Sequence, residues 1–259
     1  MTEGGSGAVG VRYVGHSTVL LEIDGVRILT DPFLRDRLGP LERHGPRPDA
    51  ADIGQVDVVL VSHGHPDHLD RRSLKTVQGR PTVVVPRRLG ATVRRWLGSE
   101  VVELQRGERI EFRGVPIEAV RAKHWISPGA PRAQPLGYLV GGPSAVWFAG
   151  DTARYPEMLA LRGRVDVALL PVWTWGPHLG PGHLGPEDAA VVAAAVGARV
   201  AIPIHWGTLY PRQLHRLWTG PLIQPGDRFA TVAATVAPRT EVLVLRPGEE
   251  AHMRLRSGA

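Results

Sequence analysis

The chain has 259 residues, 43% of them hydrophobic, enough to bury a core that folds alone as one large α/β domain or two small ones. Lysine and arginine number 31 against 25 acidic residues, a formal charge of +6 that suits an acidic substrate, while no dense basic run or aromatic series marks a nucleic-acid groove. Cysteine is absent, which excludes disulfides and thiolate ligands and leaves nitrogen and oxygen as metal donors.

The first seven residues show neither a basic nor an apolar leader region, and no stretch reaches the roughly 18 to 20 apolar residues that span a bilayer. A cytoplasmic protein without a membrane span is expected. Val11 to Tyr13, Thr18 to Ile23 and Val26 to Thr30 read as strands, the last two joined at the hairpin signal Asp24-Gly25. Gly15-His16-Ser17-Thr18 separates the first two, and Asp31-Pro32-Phe33 ends the third. His16 reads either as a hydrogen-bonded structural histidine or as a group reaching a central site from a strand edge. Asp31 reads as the acceptor that orients a metal-bound imidazole, or as a turn cap. Residues 35–52, rich in Arg, Pro, Gly and Asp, read as a long loop of the kind that forms lids; His44 within it carries no signal of its own.

Val56 to Val61 has the apolar, β-branched character of a buried strand and runs directly into Ser62-His63-Gly64-His65-Pro66-Asp67-His68. Three imidazoles and a carboxylate therefore emerge at one strand end. His63 and His65, two apart, point the same way from an extended segment, whereas Asp67 and His68 lie beyond the Pro66 turn and face a second position. That division suits two neighbouring metal ions.

Leu69 to Val77 and Leu89 to Leu97 read as helices, and Thr82 to Pro86 and Val101 to Leu104 as strands, giving βαβαβ order and an α/β class. Glu108 to Phe112 and Val115 to Ala122 pair about Gly114 and deliver His124 beside Trp125. Leu136 to Val140 and Ala145 to Ala149 form a hairpin about Gly141-Gly142-Pro143-Ser144 that ends in Gly150-Asp151-Thr152. Gly150 permits close backbone approach, and Asp151 adds a carboxylate at the same sort of edge. After the buried strand Val165 to Val172, the run Trp173 to Leu184 is too rich in Gly and Pro for a helix and too apolar for a solvated loop, and reads as a pocket wall. Pro186-Glu187-Asp188 opens a helix through Val196, and the strand Arg199 to Ile204 delivers His205-Trp206. A helix from about Arg228 to Val236 and a last strand, Glu241 to Arg246, complete an expected domain over 11–246, between a flexible N-terminus (1–10) and a C-terminal tail (247–259).

The strand ends thus supply His63, His65, Asp67, His68, His124, Asp151 and His205, too many donors for one tetrahedral site. They match two ions: His63, His65 and His124 around the first, Asp67, His68 and His205 around the second, and Asp151 between them. Imidazole and carboxylate without thiolate suit zinc, with manganese or iron as alternatives. Trp125, Trp173, Trp175 and Trp206 adjoin these elements and are candidates for an apolar wall, as well as for core packing.

The run His63-Gly64-His65-Pro66-Asp67-His68, the later His124, the Gly150-Asp151 pair and the distal His205 resemble, in this order, the motifs of the metallo-β-lactamase superfamily. The resemblance spans Val11 to about Arg246 and implies a four-layer αββα sandwich, two mixed sheets covered by outer helices, with the metals at one edge between the sheets. Gly15-His16-Ser17-Thr18, Thr30-Asp31-Pro32 and His183 to Ala189 are similar to the branch containing N-acyl-phosphatidylethanolamine phospholipase D and ascorbate-6-phosphate lactonase. That likeness implies that His183 sits beside the metals as a substrate or proton-transfer residue; a buried histidine at a helix entry is the plainer reading. The absence of cysteine at the distal ligand position argues against antibiotic hydrolysis.

The chemistry implied is metal-assisted hydrolysis, with Asp67 accepting a proton or orienting the nucleophile and His183 protonating the leaving group. The leading expectation is a hydrolase of a phosphodiester or a phosphate-bearing small molecule, with an anionic substrate. A lactonase or other cyclic-ester hydrolase is the nearest rival. A metal-binding scaffold or sensor without turnover is the alternative of another class.

Overall fold

Strands β1 (Ala8–Gly15), β2 (Thr18–Ile23) and β3 (Val26–Thr30) form an antiparallel meander. The turn between β2 and β3 has positive φ at both central residues, Asp24 (49°) and Gly25 (77°), the twist that a two-residue hairpin needs. In this computed structural model, residues 7–126, 132–142 and 144–256 are described. Residues 1–6 of the expected flexible N-terminus, Pro143 of the expected hairpin turn and residues 257–259 of the expected tail lie outside them.

The segment read as a loop over 35–52 contains a small hairpin, β4 (Arg37–Leu38) and β5 (Leu41–Arg43), and a single helical turn, α1 (Ala50–Ile53). Next, β6 (Val58–Leu60), β7 (Thr82–Pro86) and β8 (Val101–Leu104) extend the sheet in parallel, linked by α2 (Arg71–Thr76) and α3 (Gly90–Leu97). Asp70 caps α2 by accepting from Ser73 N at 2.8 Å, which stops the preceding loop one residue after Leu69.

A second sheet is built from β9 (Arg109–Phe112), β10 (Val115–Arg121), β11 (Leu136–Val140), β12 (Ala145–Phe148), β13 (Val165–Pro171) and β14 (Val200–Ile204). Strand β13 is buried at all positions, as expected where both faces of a sheet are covered. One face is covered by α4 (Pro186–Val196) and α6 (Pro225–Val236), which pack on each other; β15 (Leu209–Pro211) and the one-turn α5 (Gly220–Ile223) lie between them in sequence. The final strands are β16 (Glu241–Val242), on the edge beside β14, and β17 (Glu250–Arg254), on the edge beside β1.

The resulting orders are β17-β1-β2-β3-β6-β7-β8 and β16-β14-β13-β12-β11-β10-β9, two mixed seven-stranded sheets; a third, small sheet is β15-β5-β4. The main core joins Val11, Leu21, Ile28 and Val58 of the first sheet to Tyr138, Trp147, Leu169 and Ile202 of the second, while a separate cluster including Val59, Val83, Leu74 and Val93 lies under α2 and α3. This is the four-layer αββα sandwich. Among the described residues, no helix is long and apolar enough to cross a membrane.

The chain ends depart from the sequence reading. Ala8, Val9 and Gly10, assigned to a flexible N-terminus, belong to β1. The tail from residue 247 contains β17, paired antiparallel with Ala8 to Arg12, and Arg256 beyond it bonds the fully buried Asp166 through Nε at 2.6 Å. Glu250 to Arg254 alternates exposed and half-buried side chains, an edge pattern with too few apolar residues to read as a strand. The expected last strand over Glu241 to Arg246 is confined to Glu241–Val242.

Candidate metal centre

The site lies where strands from both sheets end at one edge. The loop after β6 carries His63, His65, Asp67 and His68; His124 follows β10, Asp151 follows β12 and His205 follows β14. His16 sits in the β1–β2 turn and Asp31 immediately after β3. Three of these take left-handed backbone rarely adopted outside glycine: His16 (φ 58°), Asp31 (φ 31°) and His205 (φ 62°). Backbone bonds hold them there: His205 N donates to His16 O (2.7 Å) and Asp31 N to Leu60 O (2.8 Å), while His16 N donates to Thr208 Oγ1 (2.8 Å). Gly150 (φ 60°) brings Asp151 in, because a Cβ there would stand 2.8 Å from Ser62 Cβ and 2.9 Å from Leu136 O.

Two groups of donors converge. In the first, His65 Nδ1 is 2.9 Å from His63 Nε2 and 3.1 Å from His124 Nε2. In the second, His205 Nε2 is 3.2 Å from His68 Nε2, and Asp67 Oδ2 is 3.5 Å from His68 Nε2. His16 joins this group, its Nε2 3.0 Å from Asp67 Oδ2. Asp151 touches three imidazoles: Oδ2 lies 3.3 Å from His68 Nε2 and 3.2 Å from His183 Nε2, and Oδ1 lies 3.2 Å from His205 Nε2.

The outer ring nitrogens fix which lone pairs point inward. His68 Nδ1 donates to Asp31 Oδ2 (2.7 Å), His124 Nδ1 to Gly182 O (2.9 Å), and His205 Nδ1 to Trp173 O (2.9 Å). Ser62 Oγ donates to Asp31 Oδ2 (2.5 Å) and so accepts from His63 Nδ1 (2.9 Å). These partners assign Nδ1–H to four rings and turn their Nε2 atoms inward, those of His68 and His205 at each other and those of His63 and His124 at His65 Nδ1. Unshared pairs at such separations repel unless a cation lies among them. Asp151 Oδ1 adds to this: it is buried and, although His205 Nε2 is near, the geometry makes no hydrogen bond. The all-nitrogen-and-oxygen set therefore fits divalent metal ions: besides the two groups above, Asp31, His63 and His68 and, separately, His124, Asp151 and His183 bring donors together, overlapping both.

Burial dominates the electrostatics. It carries His63 well below the ordinary imidazole value, His16 down to about 3 and His124 down to about 4. Burial also works against ionised Asp67 and Asp151, yet imidazoles outweigh it and hold both carboxyls well below their usual range: His68 and His16 for Asp67, His205, His68 and His183 for Asp151. For His68 burial is overcome by Asp151, Asp67 and Asp31, which push it well above the usual value, so that with no other cation among the donors its Nε2 takes up a proton. Burial pushes the Asp31 carboxyl up, against His68 and Ser62. The donors aimed at it, Ser62 N, Ser62 Oγ and His68 Nδ1, nonetheless match a carboxylate, and we favour the ionised form on that geometry.

A cleft of about 470 Å³ opens over the centre, reaching His65, Asp67, His124, Asp151 and His183 at its base. His183 is part-buried, its Nδ1 donating to Gly180 O (3.2 Å) and its Nε2 turned to Asp151. Burial lowers its basicity, but Asp151 more than compensates and the ring lies above its ordinary value. Trp125 and Trp175 form part of the walls. Trp173 and Trp206 do not. Trp173 turns its indole N–H to Gly176 O (3.0 Å) and contributes only the carbonyl that holds His205. Trp206 points away from its neighbour His205 into the core, donating to Pro203 O (3.0 Å) and covering Gly226 so closely that a Cβ there would lie 2.3 Å from the ring. Four wall residues escaped the sequence reading: Leu38, Gly39, Pro40 and Leu41, the tip of the β4–β5 hairpin. A pair of leucines around a Gly-Pro turn in an otherwise polar loop was the available signal.

Comparison with known proteins agrees with this architecture. The family model described as a beta-lactamase superfamily domain matches residues 26–206. A UPF0173 metal-dependent hydrolase of Methanopyrus kandleri is 33% identical, over 92% of this chain and 97% of its own. N-acyl-phosphatidylethanolamine-hydrolyzing phospholipase D 1 of Caenorhabditis elegans is 30% identical over 77% of this chain and 64% of its own. Among solved structures, Igni18, a metallo hydrolase from Ignicoccus hospitalis, superposes with a TM-score of 0.73 at 22% identity, covering 96% of this chain and all of that one (100%). The chain therefore belongs to the metallo-β-lactamase superfamily, within the set that includes the UPF0173 metal-dependent hydrolases, and is a distant homologue of the N-acyl-phosphatidylethanolamine phospholipases D.

Proposed function

We propose that the chain is a hydrolase dependent on two divalent ions, zinc first and manganese or iron next, acting on a phosphodiester or phosphate-bearing small molecule with an apolar part. The observation that supports it best is the pair of donor groups meeting at Asp151 on the floor of a cleft walled by Leu38, Leu41, Trp125 and Trp175. His63, His65 and His124 would hold one ion and Asp67, His68 and His205 the other, with Asp151 shared. When bound, such a pair supplies a nucleophile at neutral pH and stabilises the negative charge of the attacked group. The chain's own residues do the rest. Asp67, fixed by His16 at 3.0 Å, orients the attacking water or takes its proton. His183 lines the cleft with its Nε2 3.2 Å from Asp151 Oδ2, and carries the proton for the leaving group. The tryptophans and leucines exclude water from the reacting bond and bind the apolar part.

Hydrolysis of a lactone or another cyclic ester is the second reading, favoured by one feature: among the described residues lining the cleft there is no Lys or Arg. Full-length protein loaded with zinc or manganese should cleave bis(p-nitrophenyl) phosphate. Rapid lactone opening with no phosphodiester cleavage under either metal would transfer the assignment to the second reading, and turnover of neither would favour a metal-binding scaffold.

A further inference from the structure

The positive charge that the cleft lacks is concentrated behind the hairpin that walls it. A groove of about 660 Å³ lies between the β4–β5 hairpin and α2, with Arg35, Arg37, Arg43, Arg47 and Arg72 against only two lining acids, Asp36 and Glu42. The hairpin is shared: Leu38 and Leu41 at its tip face the metal cleft, while Arg37, Glu42 and Arg43 line the groove.

Three of the arginines are held by one nitrogen each: Arg35 Nη1 to Asp70 Oδ1 (3.1 Å), Arg37 Nη2 to Glu42 Oε1 (3.1 Å) and Arg47 Nη1 to Asp36 Oδ2 (3.3 Å). Single-point ion pairs on side chains as open as Arg37 (62% exposed) and Arg47 (75%) are weak and leave most of each guanidinium fork free. Arg72 has no hydrogen-bond or ion-pair partner among the described residues. Arg43 is different in kind. It is 9% exposed, its Nε and Nη2 donate to the carbonyls of Arg35 and Phe33, its Nη1 is buried without a partner, and it makes no ion pair among the described residues. Burial lowers its pKa only to about 10, so a full charge remains in the groove floor at neutral pH, offset through space by Asp36 but by no carboxylate in contact with it among the described residues.

We propose that this groove is a binding site for a phosphorylated small anion carrying at least two phosphoryl groups, separate from the metal centre. Phosphate oxygens match the planar guanidinium fork bidentately and exchange readily for single-point carboxylate contacts. The volume exceeds what one phosphate fills and lies within the range of small-molecule sites. Its occupant bridges α2 to the back of the hairpin, and so bears on the wall that Leu38 and Leu41 present to the cleft.

Calorimetric titration of the metal-loaded full-length protein with fructose 1,6-bisphosphate, a weak chelator, in 150 mM salt is the test. A saturable site is expected in the wild type and in His65→Ala, with affinity at least tenfold lower in Arg47→Ala/Arg72→Ala, whose exposed positions leave the fold intact by circular dichroism. Binding that disappears in His65→Ala but survives in the arginine variant would put the anion on the metals and overturn the proposal. Absence of saturable binding in the wild type would overturn it equally, and neither result bears on hydrolysis at the metal centre.

Discussion

Asp31 Oδ2 stands 2.7 Å from His68 Nδ1, and both side chains are fully buried. The same carboxylate accepts from Ser62 N and Ser62 Oγ, so a single residue at the end of β3 fixes one ring and the start of the histidine loop. Replacing it with alanine leaves these donors buried and unpaired. Asp31→Ala should lower metal affinity by roughly 10- to 100-fold, as measured by competition with a chromophoric chelator, while Asp31→Asn, which keeps an acceptor, should lose less. Equal affinity in Asp31→Ala and wild type would show that His68 is held by other contacts.

Gly150 sets the approach of Asp151. Gly150→Ala combines a left-handed backbone, φ 60°, with a Cβ placed 2.8 Å from Ser62 Cβ and 2.9 Å from Leu136 O. A loss of about 1–3 kcal/mol in denaturant unfolding is expected, together with reduced metal content, because relief of the clash moves the carboxylate. A stable variant with wild-type metal content would mean that the strand end tolerates the shift.

Trp125 and Trp175 are 57% and 43% exposed, unusual for indoles unless they meet a ligand. Trp125→Ala and Trp175→Ala should each raise KM for a substrate with an apolar arm by about tenfold, equivalent to roughly 1.4 kcal/mol, and leave metal content unchanged. Identical KM values for wild type and both variants would remove the tryptophans from substrate binding.

His44 stacks on His215, ring centroids 4.0 Å apart and 20° between planes, away from the metal centre. Burial and then His215 lower the His44 pKa against the opposing pull of Glu42. Because the folded value lies below the 6.5 of an ordinary imidazole, the unfolded chain takes up the proton first. The stability His44 contributes is thus fully present above that value and is lost as the pH falls through the folded one. In proton–nitrogen NMR titrations His44 should titrate below 6.5 in the wild type and move upward in His215→Ala. No movement would assign the shift to burial alone.

Much of the centre was legible because its chemistry is local. Val58 to Leu60 is apolar and β-branched, so the strand end is evident, and His63, His65, Asp67 and His68 follow it without interruption. The positions of His124, Asp151 and His205 were legible through repetition of one placement, a donor just past a strand. Residues whose roles depend on distant partners were not. His16 read mainly as structural, and its 3.0 Å contact with Asp67 spans 51 residues. Trp206 adjoins His205 in sequence, yet successive side chains at a strand end face opposite ways, and nothing local revealed that Gly226 would receive its ring. Leu41 of the β4–β5 hairpin and strand β17 depend on pairing with Pro211 and with Ala8 to Arg12, which no short-range pattern encodes.

Asp151 stands between the two donor groups: its oxygens lie 3.2–3.3 Å from His68 and His205 of one, and within 4.8 Å of a ring nitrogen of His124 of the other. Metal content by inductively coupled plasma mass spectrometry, on purified protein dialysed against limiting zinc, tests this sharing most directly. Two ions per chain are predicted for the wild type, and Asp151→Ala should bind both more weakly, falling well below two at the same free zinc. A variant that retains two ions with unchanged affinity would contradict the shared carboxylate.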